Sequence, residues 1–144
     1  MNKYQELKES QSKRINSFPM FFAFTKSSFA EGMKKFGLKE TETDKIVSIG
    51  SGGYIKKESV QDFKDMINSF ENERQEAIKA DTTGEGFIYD MFLYELRNHE
   101  YCYTGTVEDT LDALGMTFEE IEKDKAFLNG LVLAKKEAAK DECF

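Results

Sequence analysis

The chain has no tryptophan, a single proline, a single histidine and only two cysteines in its 144 residues. Each scarcity removes a class of explanation. Without tryptophan one common interface anchor is missing, and its role falls to 13 phenylalanines and 6 tyrosines. Cys102 and Cys143 form no metal-binding pair by spacing, and two isolated thiols fit a reducing cytosol better than a disulfide scaffold. One histidine and two scattered cysteines would need carboxylates to complete a zinc site, so neither a metal nor a cofactor is expected. The apolar stretch 18–24 is far too short to span a bilayer, and no apolar leader core follows Met1. A cytoplasmic chain with no membrane attachment is the expectation. With 40% apolar residues and so little proline the chain reads as folded, and this length most often makes one domain.

What the chain does hold is charge, unevenly divided. Residues 1–80 carry 14 Lys+Arg against 12 Asp+Glu, a net of +2, whereas residues 81–144 carry 6 against 15, a net of −9. An acidic second half repels phosphate backbones and anionic lipid headgroups. Direct nucleic-acid binding is therefore not expected, and a partner protein with a basic surface is.

Residues 1–17 read as a polar helical arm with a thin apolar stripe of Tyr4, Leu7 and Ile15, ended by Pro19. Residues 20–25 suit a short buried strand. Ser27 or Ser28 is the expected cap of a helix running to Phe36, with Gly37 at its C′ position. Ile46, Val47 and Ile49 precede Gly50-Ser51-Gly52-Gly53, and Tyr54 and Ile55 follow, which is a hairpin pattern. Val60, Phe63, Ile67, Phe70, Ala77 and Ile78 predict the longest helix over 58–80. After a loop at 81–86, Phe87, Ile88, Met91, Phe92 and Leu96 predict a wide-faced central helix over 87–101. Thr106 is the expected cap of a helix over 107–114 that Gly115 stops. Thr117 is the expected cap of a last helix using Phe118, Ile121, Leu128, Leu131 and Val132. Gly130 either weakens that helix or permits close backbone packing. The pattern amounts to an α+β, helix-dominated single compact domain over 1–144, with a small antiparallel sheet or hairpin in the N-terminal half. A two-subdomain arrangement divided near residue 81 is the alternative.

Several constellations could carry chemistry. Successive glycines at Gly50, Gly52 and Gly53 can turn backbone amides toward an anion, with Lys56 adding charge, but the following residues look extended rather than helical. A plain hairpin connection is the competing reading. His99 is the sole imidazole, with Glu95 one helical turn earlier to orient it. It also sits at the edge of the apolar face of Phe92 and Leu96, where a packing or capping histidine is expected. Asp81, Thr83 and Glu85 place three oxygen-bearing side chains close together, yet the twelve-residue calcium pattern is absent. A solvated, helix-capping acidic surface explains them as well. Tyr94, Tyr101 and Tyr103 surround His99 and suit either an interface or a wet-edged core. Cys102 beside Glu100 lacks the electropositive setting of a nucleophile. Two helices joined through Gly115-Met116-Thr117 suggest a helix-turn-helix, but Glu119, Glu120 and Glu122 would be repelled by DNA.

The phrases Phe18-Pro19, Phe22-Ala23-Phe24, Glu31-Gly32-Met33-Lys34-Lys35 and Gly52-Gly53-Tyr54-Ile55 occur in the first half. Gly84-Glu85-Gly86-Phe87-Ile88, Tyr94-Glu95-Leu96, His99-Glu100-Tyr101 and Asp109-Thr110-Leu111-Asp112-Ala113-Leu114-Gly115 occur in the second. With these the chain resembles, over most of its length, a small uncharacterised family of Gram-positive bacteria and their phages. The resemblance implies habitat and a domain of unknown function, and it carries over no catalytic residue.

The favoured expectation is a non-enzymatic, acidic protein-binding or regulatory module of phage or mobile-element setting, with Tyr94, Tyr101, Tyr103, Glu119, Glu120 and Glu122 at its interface. The alternative is a small-molecule or nucleotide-binding protein, or an enzyme of that kind, that draws Gly50, Gly52, Gly53, Lys56, Gly84 and Glu85 toward His99. A homo-oligomeric structural component is the third reading.

Overall fold

The structure is a computed structural model and describes residues 1–143. Among these it is α+β, with eight α-helices and one three-stranded antiparallel sheet in the N-terminal half. The contacts gather into two compact units, one of residues 12–71 and one of residues 1–11 with 72–143. The charge follows this division. Residues 12–71 hold 10 Lys+Arg against 8 Asp+Glu, and the remainder holds 10 against 19, so the net charges are +2 and −9.

In the unit of residues 12–71, β1 (Phe21–Phe22), β2 (Ile46–Gly50) and β3 (Gly53–Lys56) pair in the order β1-β3-β2. Phe21 stands opposite Tyr54 and stacks on it at 5.2 Å between ring centroids. Phe29 and Phe36, from α2 (Lys26–Lys35) and its end, add edge-on contacts to Phe21 at 5.8 and 5.1 Å. Offset and edge-on rings of this kind add to plain area burial. Phe21, Met33 and Ile55 are buried there. The cap of α2 is Thr25, not Ser27 or Ser28. Its hydroxyl accepts from the Ser28 amide, while the Ser28 hydroxyl accepts from the Thr25 amide, so Ser28 is the third-position partner of a reciprocal cap.

The second unit is built around α4 (Phe87–Asn98), which buries Phe87, Ile88, Met91, Phe92, Leu93, Glu95 and Leu96. It packs chiefly on α8 (Lys125–Ala138). The first residues of α1 (Lys3–Asn16) and the end of α3 (Val60–Ala80) belong to this unit. Tyr4 is buried against Phe87 and Tyr94, so the front of the arm is core rather than a free polar helix.

Four expectations for this unit are corrected. The helix from Phe87 ends at Asn98, because Glu100 turns to φ 53° and a separate short helix, α5 (Tyr101–Thr104), follows. Thr106 does not cap α6 (Glu108–Leu114); Val107 holds that position with no side-chain bond. The last helix is two helices, α7 (Phe118–Glu122) capped by Thr117 and α8 capped by Asp124, whose carboxylate accepts from the Ala126 and Phe127 amides. Phe118 and Val132 consequently stay 45% and 42% exposed rather than joining the core. Finally, Cys102 and Cys143 are not separate thiols but a disulfide, with Cα atoms 6.0 Å apart. A bidentate pair beside it, Arg97 Nε and Nη2 to Asp141 at 2.9 and 3.0 Å, brings the tail to that place.

Candidate functional site

The loop before α4 was a candidate because of its glycines and acids. Its geometry shows what those residue types do locally. The Asp81 carboxylate accepts from the amides of Gly84, Ile88 and Gly86 at 2.9, 2.9 and 3.0 Å. The Gly86 and Ile88 amides are orphan donors of the helix start and the Gly84 amide belongs to the loop before it, and the residue at the cap position, Gly86, has no side chain to satisfy them. Asp81 thus fills from within the chain the place an external anion would take. Burial of the carboxyl opposes ionisation, but the Ile88, Gly84 and Gly86 amides outweigh it and hold Asp81 below the usual carboxylate range. Its stabilising contribution is therefore full above the unfolded value near pH 4 and is lost as pH falls through the folded value. Asp81→Asn should lower stability by about 1 kcal/mol at pH 7, the group being partly solvated. In acid the two proteins should converge. Denaturant midpoints from pH 7 to pH 2 measure this, and parallel curves over the whole range would sink it.

Gly84 also lies against α8. With φ +85° it presents its α-carbon to that helix, where an added Cβ would run into the Ala126 carbonyl oxygen. Gly130 of α8 meets it from the other side, its own Cβ position lying 2.8 Å from the Gly84 carbonyl oxygen and 2.7 Å from Ile88 Cγ2. Asn129 Nδ2 closes the contact by donating to the Thr83 carbonyl at 2.9 Å. Of the two readings of Gly130, close backbone packing is the one found. Glu85 is exposed on the same loop, its amide donating to the Thr83 hydroxyl at 3.2 Å.

His99 stands at the other end of α4. Twelve helical residues, about 18 Å, separate it from the Gly84–Glu85 loop, so the two are not brought together. Its Nδ1–H donates to the Glu95 carbonyl at 2.8 Å, and its amide donates to the same oxygen at 3.0 Å. The buried Thr110 hydroxyl adds a third bond at 3.3 Å. His99 thus caps the helix through the backbone of Glu95, and the Glu95 carboxylate goes elsewhere.

That carboxylate is the unexpected feature of the unit. Glu95 is 4% exposed, and its Oε1 lies 3.5 Å from Lys8 Nζ without a hydrogen bond. The ammonium sits 5.4 Å from the Tyr4 ring centroid and 5.2 Å from that of Tyr94. Two aromatic faces and one carboxylate therefore converge on the Lys8 ammonium. Burial, reinforced by the Glu95 charge and by Tyr94 against the opposing charge of Arg74, pushes the Tyr4 phenol up to about 12. Asn2 Nδ2 and the Lys3 amide both bond to Asp90 at 2.8 Å, fixing the same helix end. Tyr94 is thus part of this cluster, whereas Tyr103 is 73% exposed on α5 and Tyr101 is half-buried.

The glycine turn of the other unit is a hairpin connection. Gly50, Ser51 and Gly52 take φ of 90°, 51° and 78°. The Phe24 ring lies where a Cβ of Gly52 would be, and Ile49 Cγ1 and the Phe22 ring crowd the Cβ position of Gly53 at 2.9 and 3.1 Å. Phe22 and Phe24 remain 57% and 81% exposed. Lys56 lies over the Phe36 ring, 5.5 Å from its centroid, rather than at the turn.

Two concave surfaces belong to the acidic unit. An open groove of about 660 Å³ is lined by Leu7, Ala77, Ala80 and Phe87 with Lys3, Glu6, Glu73 and Asp81 at its rim. A notch of about 110 Å³ is lined by Met116, Ile121 and Phe127 with Glu120 and Asp124. Around the notch, the segment 108–124 carries Glu108, Asp109, Asp112, Glu119, Glu120, Glu122 and Asp124, all exposed, against Lys123 alone. Among the described residues no Lys or Arg stands within 4 Å of any of these seven carboxylates. No group of His, Cys, Asp and Glu among the described residues could hold a metal ion, and no helix is long and apolar enough to cross a membrane.

A protein-family model matches residues 3–137, nearly the whole chain. The chain belongs to DUF7659, a family of unknown function. No curated protein and no solved structure matches it. The DUF7659 match takes in the Asp81 loop, the Lys8–Glu95 cluster and the acidic segment, and ends before Asp141 and Cys143. Sequence reasoning missed Lys8, Tyr4 and the carboxylate of Glu95 as a cluster. The signal was present, since Glu95 falls three and four residues after Phe92 and Met91, on the stripe that α4 buries.

Proposed function

We propose that this DUF7659 chain is a non-enzymatic binding module whose acidic unit docks a protein with a basic surface. The observation that carries the reading is the segment 108–124, with seven exposed carboxylates, one lysine and no neutralising ion pair among the described residues. Such a surface speeds encounter with a cationic partner and suppresses encounter with phosphate-bearing ones. The reading includes a cytoplasmic setting in a Gram-positive bacterium or its phage. Reducing cytoplasm keeps such cysteine pairs open, so there the chain would carry Cys102 and Cys143 as thiols. Affinity capture from nuclease-treated host lysate should retain a stoichiometric protein at low salt and release it at moderate salt. Charge reversal at Glu119, Glu120 and Glu122 together should weaken that complex by about tenfold or more, with the fold checked by melting temperature. Binding untouched by the reversal would make the acidic face a solubilising surface only.

A small-molecule reading draws support from the open groove beside Gly86 and Asp81, which has an apolar floor and charged rim. His99 and the glycine turn take no part in it. Thermal-shift measurements against nucleotides and cationic metabolites test it, and no stabilisation by any would remove it.

A further inference from the structure

We infer that the notch between α7 and α8 receives one apolar side chain from a Lys/Arg-rich segment of the partner. This rests on the proposed docking of a basic protein and adds what the partner must carry. The notch walls are apolar, with Ile121 1% exposed at the base and Met116 and Phe127 half-buried beside it. Phe118, from the same turn of chain, is left 45% exposed although a phenylalanine there would gain from burial. Met116 supplies an adaptable wall, as methionine does at surfaces that accept varied side chains.

The rim decides the occupant. Glu120 and Asp124 line the notch itself, and Glu119 and Glu122 flank them. A bare apolar segment would desolvate these carboxylates with no cation to meet them, which is unfavourable even for Asp124, whose Ala126 and Phe127 amide partners are neutral. An acidic segment, a nucleic acid or an anionic lipid surface would be repelled. A segment with cations on both sides of a leucine- or methionine-like residue satisfies floor and rim together, in the manner of a helix or strand anchored in a groove. The second, larger groove has charges of both signs at its rim and makes no such selection.

Two synthetic peptides test this on the unaltered full chain by fluorescence anisotropy at about 50 mM salt. Both are rich in Lys and Arg; one carries a single central leucine and the other a serine in its place. The leucine peptide should bind about tenfold more tightly, the effect of burying one aliphatic side chain. Met116→Gln should bring the two affinities together while leaving the serine peptide unchanged. Equal binding of both peptides to the unaltered chain would overturn the notch while leaving the acidic docking surface standing. Binding of neither would overturn both.

Discussion

Gly84→Ala should destabilise the protein by about 3–5 kcal/mol, the sum of a strained left-handed alanine and an overpacked helix contact. At φ +85° the new Cβ is disfavoured by itself, and it is also aimed at the Ala126 carbonyl oxygen, a backbone atom that cannot swing aside. Gly105→Ala supplies the control. Gly105 also has a positive φ, +69°, but nothing lies within 4 Å of its Cβ position, so only the backbone strain of about 1 kcal/mol should appear. Urea midpoints of the two variants measure the difference. If Gly84→Ala costs no more than Gly105→Ala, the loop and α8 are not in the close contact described. Gly130→Ala should cost less than Gly84→Ala, because its Cβ would meet the Gly84 carbonyl oxygen from the other side but its backbone is helical and unstrained.

The second large effect is expected at Lys8. Lys8→Met removes the cation facing Glu95 and leaves a carboxylate whose side chain is only 5% exposed. Breaking a buried pair from one side is costly, and with Lys8 itself half in water a loss of about 2–3 kcal/mol is expected. The double change Lys8→Met with Glu95→Met should recover most of that loss, because an unpaired buried charge no longer remains. A double-mutant cycle on chemical denaturation reads this directly. A double variant no more stable than Lys8→Met alone would show that the cation stabilises through the Tyr4 and Tyr94 rings rather than through the carboxylate.

These two sites also mark how far the sequence could be read. The hairpin was legible, because β-branched residues on one side of a glycine run and Tyr54-Ile55 on the other admit few alternatives. So was α4, whose apolar stripe is long and wide. The break between α7 and α8 was hidden by continuing helical periodicity. It arises because Asp124 spends its carboxylate on the Ala126 and Phe127 amides, which a helix-interior aspartate could not do. Thr106 looked like a cap by composition, yet its amide is instead tied to the Thr104 hydroxyl at 3.3 Å. The meeting of Cys102 and Cys143 comes with the Arg97–Asp141 pair across 44 residues of chain, a contact no local pattern announces. For the candidate site, the acidic segment was visible as charge. The notch within it was not, because it needs Ile121 and Phe127 from two helices that had been read as one, with Met116 from the turn before them.

The burial of Tyr4 among Phe87 and Tyr94 sets an order of events during synthesis. The three strands are complete by Lys56, soon after their residues exist. The Phe87 and Tyr94 rings on which Tyr4 packs are made some eighty to ninety residues later, roughly 4–20 s at ordinary ribosomal speeds of about 5–20 residues per second. The first two turns of α1 are thus made well before α4 and wait on it to be finished.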